Sequence, residues 1–281
     1  MKFENIKVYN FEGAFRGMRN PMNSWDKSDS WFGITNIWDD VLLDEVATAW
    51  ILQDFPDWLT QELSHEADIR FEYYINWLLQ NGTLESDPTD NFLAAYIGPK
   101  DMELAQRLIK AGPEHRKFMR QIFVTIDITA PRYFWSEMDT YKLGTVSNST
   151  STMHKLASTP ITLDCFEMDD FNPDLIYYKQ PGDYFTPSGE NSIKQLSRFF
   201  IEQLEFLRQK YNETNDKRYW KELVRWLPAG WLQTRTWTCN YENLLNICNQ
   251  RKNHKLTEWH SFINCIKTLP YANELLFLDK N

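Results

Sequence analysis

Apolar residues recur at two spacings along the chain, and these spacings predict helices and strands. Steps of three and four residues predict amphipathic helices, whereas alternation predicts half-buried strands. The helices predicted in this way span residues 13–19, 39–52, 58–79, 101–110, 192–211, 216–226, 240–250 and 258–269. Strands are predicted at 6–10, 122–128 and 234–239, the first as an edge strand. The pattern therefore predicts an α+β fold in which helices dominate.

The segments between these elements are polar or rich in proline. Residues 144–152 form a run of small hydroxyl side chains, which predicts a loop that could cradle an anion. Residues 164–190 contain three prolines and are predicted to be irregular. No internal repeat or low-complexity tract marks a linker, so we predict that the 281 residues form a single domain.

The charge balance excludes two classes of partner. The chain has 30 Lys and Arg against 39 Asp and Glu, a formal net charge of −9. General binding of nucleic acid or of an anionic membrane needs a broad basic field, so neither partner is expected. The balance is compatible with a small basic pocket for one phosphorylated ligand.

The cysteines and the N-terminal residues indicate the compartment. Cys165, Cys239, Cys248 and Cys265 have no CxxC spacing, and three of them lie in apolar helical or strand-like contexts. This predicts free thiols in a reducing compartment. The first residues have no apolar run typical of a signal peptide. We therefore expect a cytoplasmic protein.

The nearest approach to a metal-binding cluster is His254, Glu258 and His260. His254 and Glu258 are four residues apart and could share one face of a helix, but His260 would then point elsewhere. We interpret these side chains as solvated or capping groups, and we expect no metal.

Aromatic residues are abundant, with 12 Trp, 13 Tyr and 18 Phe against 10 Gly. Such a surplus suggests a thick core, an oligomer interface or a site that stacks planar ligands. Few of the tryptophans coincide with candidate ligand-binding residues, so we interpret them mainly as core and interface residues.

Three clusters combine cations with amides or hydroxyls. The first joins Arg16 and Arg19 to neighbouring Asn and Ser side chains, and the second runs from residue 122 to residue 154. The third contains Arg235 in a predicted strand and Arg251 at the end of an apolar helix. An arginine in such a position needs a carboxylate or a phosphate, because its charge is costly to bury alone. A structural ion pair and ligand binding both remain open.

The order of these clusters resembles the flavin-dependent thymidylate synthase family. Its N-terminal helix reads approximately A-x-R-x-A-R, and residues 14–19 read AFRGMR. Its turn H-E-x-P-F-E-H is followed by a strand and Ala-Pro. Residues 115–121 of this chain read HRKFMRQ and are similar to that turn. They are followed by the predicted strand at 122–128 and by Ala130-Pro131, in the order that the family has.

The C-terminal half continues the resemblance. The family has L-P-x4-T-R, then T-x-N, then N-x3-R in a helix. This chain has Leu227-Pro228 followed by Thr234-Arg235 with one additional residue, then TCN at 238–240 and NICNQR at 246–251, where the spacing to the arginine is one residue longer.

The chain departs from the family in two segments. In place of the signature R-H-R-x2-S-x-N-x2-S-x-R, residues 140–152 read TYKLGTVSNSTST, which keeps hydroxyls and the single cation of Lys142. Residues 32–98 are an insertion without a family counterpart, and we predict that it is helical.

The resemblance implies a helix-rich fold with a small antiparallel sheet, assembled as a homotetramer that holds FAD and dUMP between subunits. It implies reductive methylation of dUMP with methylenetetrahydrofolate. The implied nucleotide-binding residues are Arg235, Arg251, Lys142, Thr145, Ser149 and Ser151, with Arg251 as the catalytic group beside the pyrimidine. The implied cofactor-binding residues are His115, Asn240 and Asn246. The alternative is a nucleotide-binding or protein-interaction module of the same fold without redox chemistry.

Overall fold

The structure is a computed structural model that describes residues 1–36, 84–86, 91–169, 171–172, 174–179 and 190–278. The helices predicted at 39–52 and 58–79 lie outside these residues. The chain divides into two compact units. Unit 1 comprises Met1–Ile6 and Thr125–Thr238, and unit 2 comprises Lys7–Val124 and Cys239–Asn281. The single domain of the sequence analysis stays a prediction.

Helices and strands alternate irregularly along the described residues. The helices are α1 (Phe11–Arg19), α2 (Pro99–Ala111), α3 (Arg132–Met138), α4 (Thr152–Lys155), α5 (Ile193–Thr214), α6 (Lys217–Trp226), α7 (Tyr241–Arg251), α8 (Thr257–Ile266) and α9 (Ala272–Leu275). The strands are β1 (Lys2–Tyr9), β2 (Trp31–Asn36), β3 (Leu84–Ser86), β4 (Asn91–Tyr96), β5 (Phe123–Pro131), β6 (Val146–Ser149), β7 (Ile176–Lys179), β8 (Glu190–Ser192) and β9 (Leu232–Asn240). The fold class is α+β, as predicted.

The principal sheet has the strand order β1-β5-β9-β6, so β1 is an edge strand as predicted. Strand β5 alternates as its sequence indicates, with Ile126 and Ile128 fully buried. Its other face carries hydroxyls that meet those of β9, including Thr129 and Thr234, whose Oγ1 atoms are 2.7 Å apart. The sheet therefore has one apolar face and one polar face.

A second sheet, with the order β2-β4-β3, occupies the described ends of the predicted insertion. Its strands are antiparallel, and Trp31 pairs with Tyr96 and Asn36 with Asn91. The insertion is predicted to be helical, whereas its described residues 32–36, 84–86 and 91–96 form strands, and aromatic and β-branched residues such as Phe32 and Ile34 favour a strand. Runs this short give no clear period, which explains the difference.

Each unit has its own buried core. In unit 1, α5 and α6 pack through Leu204 and Leu223 against Leu156, Ile161 and Phe166. In unit 2, the ring of Phe11 makes edge-to-face contacts with Tyr241 and Tyr271, at centroid distances of 5.7 and 5.6 Å. Trp135 and Trp259 are among the largest fully buried side chains, so these two tryptophans are core residues.

Candidate functional site

Arg235 has side-chain partners within unit 1. Its Nη1 donates to Asp139 at 2.7 Å, and its Nε donates to Gln233 at 3.0 Å. The guanidinium also lies over the ring of Trp135, 4.4 Å from the ring centre. The carboxylate and the ring offset the cost of half-burying the cation and fix its orientation. In this structure Arg235 therefore forms an ion pair within the protein, which is the first of the two alternatives left open by its sequence.

The segment that replaces the family signature forms a loop and the short strand β6. Lys142 is exposed, and the hydroxyl of Thr145 donates to the carbonyl oxygen of Tyr141. Ser149 pairs with Arg235 across the antiparallel strands, which places both side chains on the same face of the sheet. Ser151 is half-buried. The structure therefore places the predicted hydroxyl of Ser149 beside the predicted Arg235, whereas the hydroxyl of Thr145 is bonded to the backbone.

Asn240 caps helix α7. Its side-chain oxygen accepts the backbone N–H of Asn243 at 2.9 Å, and the Asn243 side-chain oxygen accepts the backbone N–H of Asn240 at 3.2 Å. This reciprocal capping box satisfies two backbone donors at the start of the helix. The oxygen of Asn240, which the resemblance assigns to the cofactor, is therefore engaged within the protein.

Arg251 ends the same helix. Its guanidinium lies 4.6 Å from the centre of the Trp259 ring, which is fully buried in unit 2. A cation at this position is favoured by the partial negative charge of the helix C-terminus. The stack and the helix end together hold the guanidinium in a defined place, which is the property that a ligand-contacting arginine requires.

Two arginines of the turn at 115–121 share one carboxylate on α7, a pairing that the sequence analysis misses. Arg116 Nε donates to Glu242 at 3.3 Å, and Arg120 donates to the other carboxylate oxygen. The hydrogen bond and charge of Glu242 raise the pKa of Arg120 above its usual value. Arg116 also donates to the side-chain oxygen of Asn246 at 3.3 Å. Both arginines stand where the family motif has glutamates.

A cleft of about 630 Å³ lies in unit 2, with Asn246 on its wall. The lining combines cations and amides with aliphatic side chains: Lys110, Arg116, Asn246, Asn249 and Gln250 with Gly112, Ile109, Leu245, Leu276 and Leu278. Amides can bond to the polar edge of a heterocycle, aliphatic groups can cover its faces, and cations can meet a phosphate. His115, next in sequence to Arg116, is exposed.

Arg19, at the end of the AFRGMR block, lies in a buried polar network of unit 2. Its Nε donates to Asp101 at 2.5 Å, and the side chains are 6% and 0% exposed. The hydroxyls of Ser28 and Ser30 donate to the other oxygen of the same carboxylate. Arg19 is thus a structural arginine, and the partner on α2 is 82 residues away in sequence.

The cysteines are not suited to nucleophilic chemistry. All four are free, and Cys239 and Cys248 are buried. Burial raises the pKa of Cys248 to about 12 and that of Cys265 to about 11, so the reactive thiolate is scarce at neutral pH.

The titratable side chains in the part of the chain that the structure describes do not form a metal site. No group of three His, Cys, Asp or Glu side chains there is placed to hold a metal ion. His254 lies before α8 and not within it, so it shares no helix face with Glu258, and its Nδ1 accepts the backbone N–H of Leu256. Within the same described ranges, no helix is both long enough and apolar enough to cross a membrane.

Comparison with known proteins finds no matching family model and no matching curated protein. Among solved structures, the chain is similar to flavin-dependent thymidylate synthase ThyX from Helicobacter pylori complexed with FAD and dUMP, at 17% identity and a TM-score of 0.45, over 64% of this chain and 83% of that one. A second ThyX structure from Helicobacter pylori with FAD and dUMP has the same identity and TM-score, over 64% and 82%. The UMP/dUMP methylase PolB from Streptomyces cacaoi, bound with 5-Br dUMP, is similar at 17% identity and a TM-score of 0.44, over 65% and 81%.

Proposed function

We propose that this protein is a divergent relative of the flavin-dependent thymidylate synthases. It binds a deoxyuridylate-type nucleotide and FAD and methylates the nucleotide reductively with methylenetetrahydrofolate, as a cytoplasmic homotetramer. The observation that carries the proposal is the agreement between three of the sequence blocks and the elements that they form. Residues 14–19 lie in helix α1, the turn at 115–121 precedes β5, which ends in Ala130-Pro131, and residues 246–251 end helix α7.

The cleft in unit 2 fits the ring system and phosphate of such ligands. Asn246 and Asn249 offer donors and acceptors to a ring edge, while Lys110 and Arg116 offer positive charge in a protein that is acidic overall. A reduced flavin, when bound, supplies the hydride for the reduction. In this proposal the residues of the chain orient the ring, exclude water and balance the phosphate charge.

The arginines supply the remaining chemistry in this proposal. Arg251 lies beside the pyrimidine, where a fixed guanidinium can bind a carbonyl oxygen and stabilise negative charge as it develops. Its stack on Trp259 supports this role, because a fixed cation needs little reorganisation during the reaction. Arg235 and Ser149, with Lys142, Thr145 and Ser151, meet the nucleotide phosphate, and His115 and Asn240 support the cofactor.

A second candidate is a nucleotide-binding module without redox chemistry. The observation that favours it is the segment at 140–152, where the signature cations are reduced to the exposed Lys142 and the hydroxyls lie on an exposed strand. The engagement of Arg235 by Asp139 and of Asn240 by the helix cap points the same way. This candidate predicts binding of a nucleotide without binding of flavin.

Thermal unfolding with dUMP, with FAD and with both ligands tests the proposal. We expect the midpoint to rise most with both ligands, and we expect Arg251→Ala to abolish the rise caused by dUMP while the far-ultraviolet spectrum stays unchanged. Lys252→Ala, an exposed neighbour, is the matched control and keeps the full rise. A rise with dUMP and none with FAD supports the module. No rise with any ligand refutes both candidates.

A further inference from the structure

Asp139 pairs with Arg235, but little else holds its own side chain. Asp139 follows helix α3 as its C-cap, and its side chain is 52% exposed, whereas that of Arg235 is 15% exposed. Within the part of the chain that the structure describes, its carboxylate makes a single hydrogen bond, the 2.7 Å contact with Arg235 Nη1. Ion pairs with an exposed partner contribute little to stability, so this carboxylate can be displaced at small cost.

The other groups around Arg235 are anchored more firmly. Gln233, which accepts from Arg235 Nε at 3.0 Å, donates through its own amide to the carbonyl oxygen of Thr150 at 3.0 Å. Trp135, whose ring lies against the guanidinium, is 1% exposed and donates to the backbone oxygen of Gln233 at 2.9 Å. Of these three neighbours of Arg235, Asp139 is therefore the one that an incoming ligand can replace.

The remaining donors of the guanidinium indicate what kind of group can replace Asp139. An arginine holds an anion with two parallel N–H donors, one on Nη2 and the other on Nη1 or Nε. No described residue accepts from Nη2 of Arg235, while Nε is committed to Gln233 and Nη1 to Asp139. A phosphate therefore reaches two donors when it takes Nη2 and replaces Asp139 at Nη1. Ser149, on the same face of the sheet, offers a hydroxyl beside it.

We propose that Asp139 is a specificity-determining residue, which competes with the phosphate of the ligand for Arg235. The inference rests on the proposed function, in which Arg235 meets the nucleotide phosphate. A phosphorylated ligand must break the ion pair and then bind beside the released carboxylate, whereas an unphosphorylated nucleoside leaves the pair intact. Because adjacent like charges are unfavourable, Asp139 narrows the difference in affinity between nucleotide and nucleoside. The charge at position 139 therefore sets how strongly the site prefers a phosphorylated substrate.

Titration calorimetry with dUMP and with deoxyuridine tests the inference. We expect Asp139→Asn to lower the Kd of dUMP about tenfold, because the phosphate no longer competes with a carboxylate, and to give no gain with deoxyuridine. Asp164→Asn is the matched control, because Asp164 is an exposed aspartate of unit 1 and its replacement removes the same charge elsewhere. It leaves both affinities unchanged. An unchanged or higher Kd of dUMP for Asp139→Asn would overturn the inference, since a merely structural role of Asp139 predicts weaker binding.

A double variant shows whether the gain in affinity acts through Arg235. Asp139→Asn combined with Arg235→Gln should bind dUMP no more tightly than Arg235→Gln alone, because the two changes affect one contact and are not additive. A gain that persists without the arginine would contradict the competition, since it would be a general effect of removing negative charge.

Inorganic phosphate separates failure of this inference from failure of the proposed function. If dUMP binds neither the wild-type chain nor the Asp139→Asn protein, the proposed nucleotide binding is refuted. The competition at Arg235 is then measured by the thermal midpoint in phosphate, which should rise further for Asp139→Asn than for the wild-type chain and for Asp164→Asn. Equal rises in the three proteins would overturn the inference as well.

Discussion

Removing the charge of Asp101 tests whether Arg19 is structural. Asp101 is fully buried at the start of α2, and its carboxylate accepts Arg19 Nε at 2.5 Å and the hydroxyls of Ser28 and Ser30 at 2.6 and 2.5 Å. The variant Asp101→Asn keeps the size of the side chain and one acceptor oxygen. It leaves the Arg19 guanidinium, which is 6% exposed, without its countercharge.

The magnitude follows from the burial of both groups. Breaking a buried ion pair by removing one partner costs about 3–5 kcal/mol, because the remaining charge stays buried without compensation. The serine hydroxyls can still donate to the oxygen of the amide that replaces the carboxylate. Their hydrogen bonds therefore add nothing to the expected loss in the free energy of unfolding. We therefore expect Asp101→Asn to lower the free energy of unfolding by about 3–5 kcal/mol.

Chemical denaturation with urea, followed by tryptophan fluorescence, measures this loss. Asp26→Asn is the matched control, because Asp26 is an exposed aspartate in the same unit, and we expect a change within about 0.5 kcal/mol. A loss below about 1 kcal/mol for Asp101→Asn would refute the reasoning, since surface charges give changes of that size. A loss of nucleotide binding with unchanged stability would assign Arg19 to the ligand instead.

Three further perturbations have expected outcomes. Arg208 holds the pKa of Glu205 at about 2, so this carboxylate stabilises the fold above its ordinary pKa of 4.5, and its contribution is lost as the pH falls through about 2. Glu205→Gln should therefore lower stability at pH 7 and flatten its decline between about pH 4.5 and 2 in urea titrations; equal acid sensitivity would contradict this. Glu242→Gln should cost about 1.5–3 kcal/mol, because two arginines lose a charged acceptor, and an unchanged urea midpoint would contradict it. Asn240→Ala should cost about 0.5–2 kcal/mol as a lost helix cap, whereas an unchanged thermal midpoint would exclude a capping role.

The elements that the sequence predicts best are those with a strong local period. Helix α5 and strand β5 appear close to their predicted bounds, because each has a core-facing pattern that is visible without its neighbours. Strand β6 is different. Its four residues are all exposed, and it forms by pairing with β9, so its sequence reads as a loop. Pairing with a strand that is distant in sequence leaves no pattern in the four residues of β6 themselves.

The same distinction applies to the site. The cap made by Asn240 has a local signal, since a polar residue follows three positions later, and the sequence analysis could have found it. The pairing of Arg116 and Arg120 with Glu242 joins residues more than 120 positions apart, and only folding brings them together. The sequence therefore predicts that these arginines need charged partners, but it does not identify the partners.

The measurement that tests the central claim most directly is the ultraviolet-visible spectrum of the purified protein after incubation with FAD and dUMP and removal of free ligand. The proposed function predicts retained flavin absorbance that approaches one flavin per chain, and a thermal midpoint higher than that of the protein alone. A colourless protein whose stability is unchanged by FAD and dUMP together would contradict it.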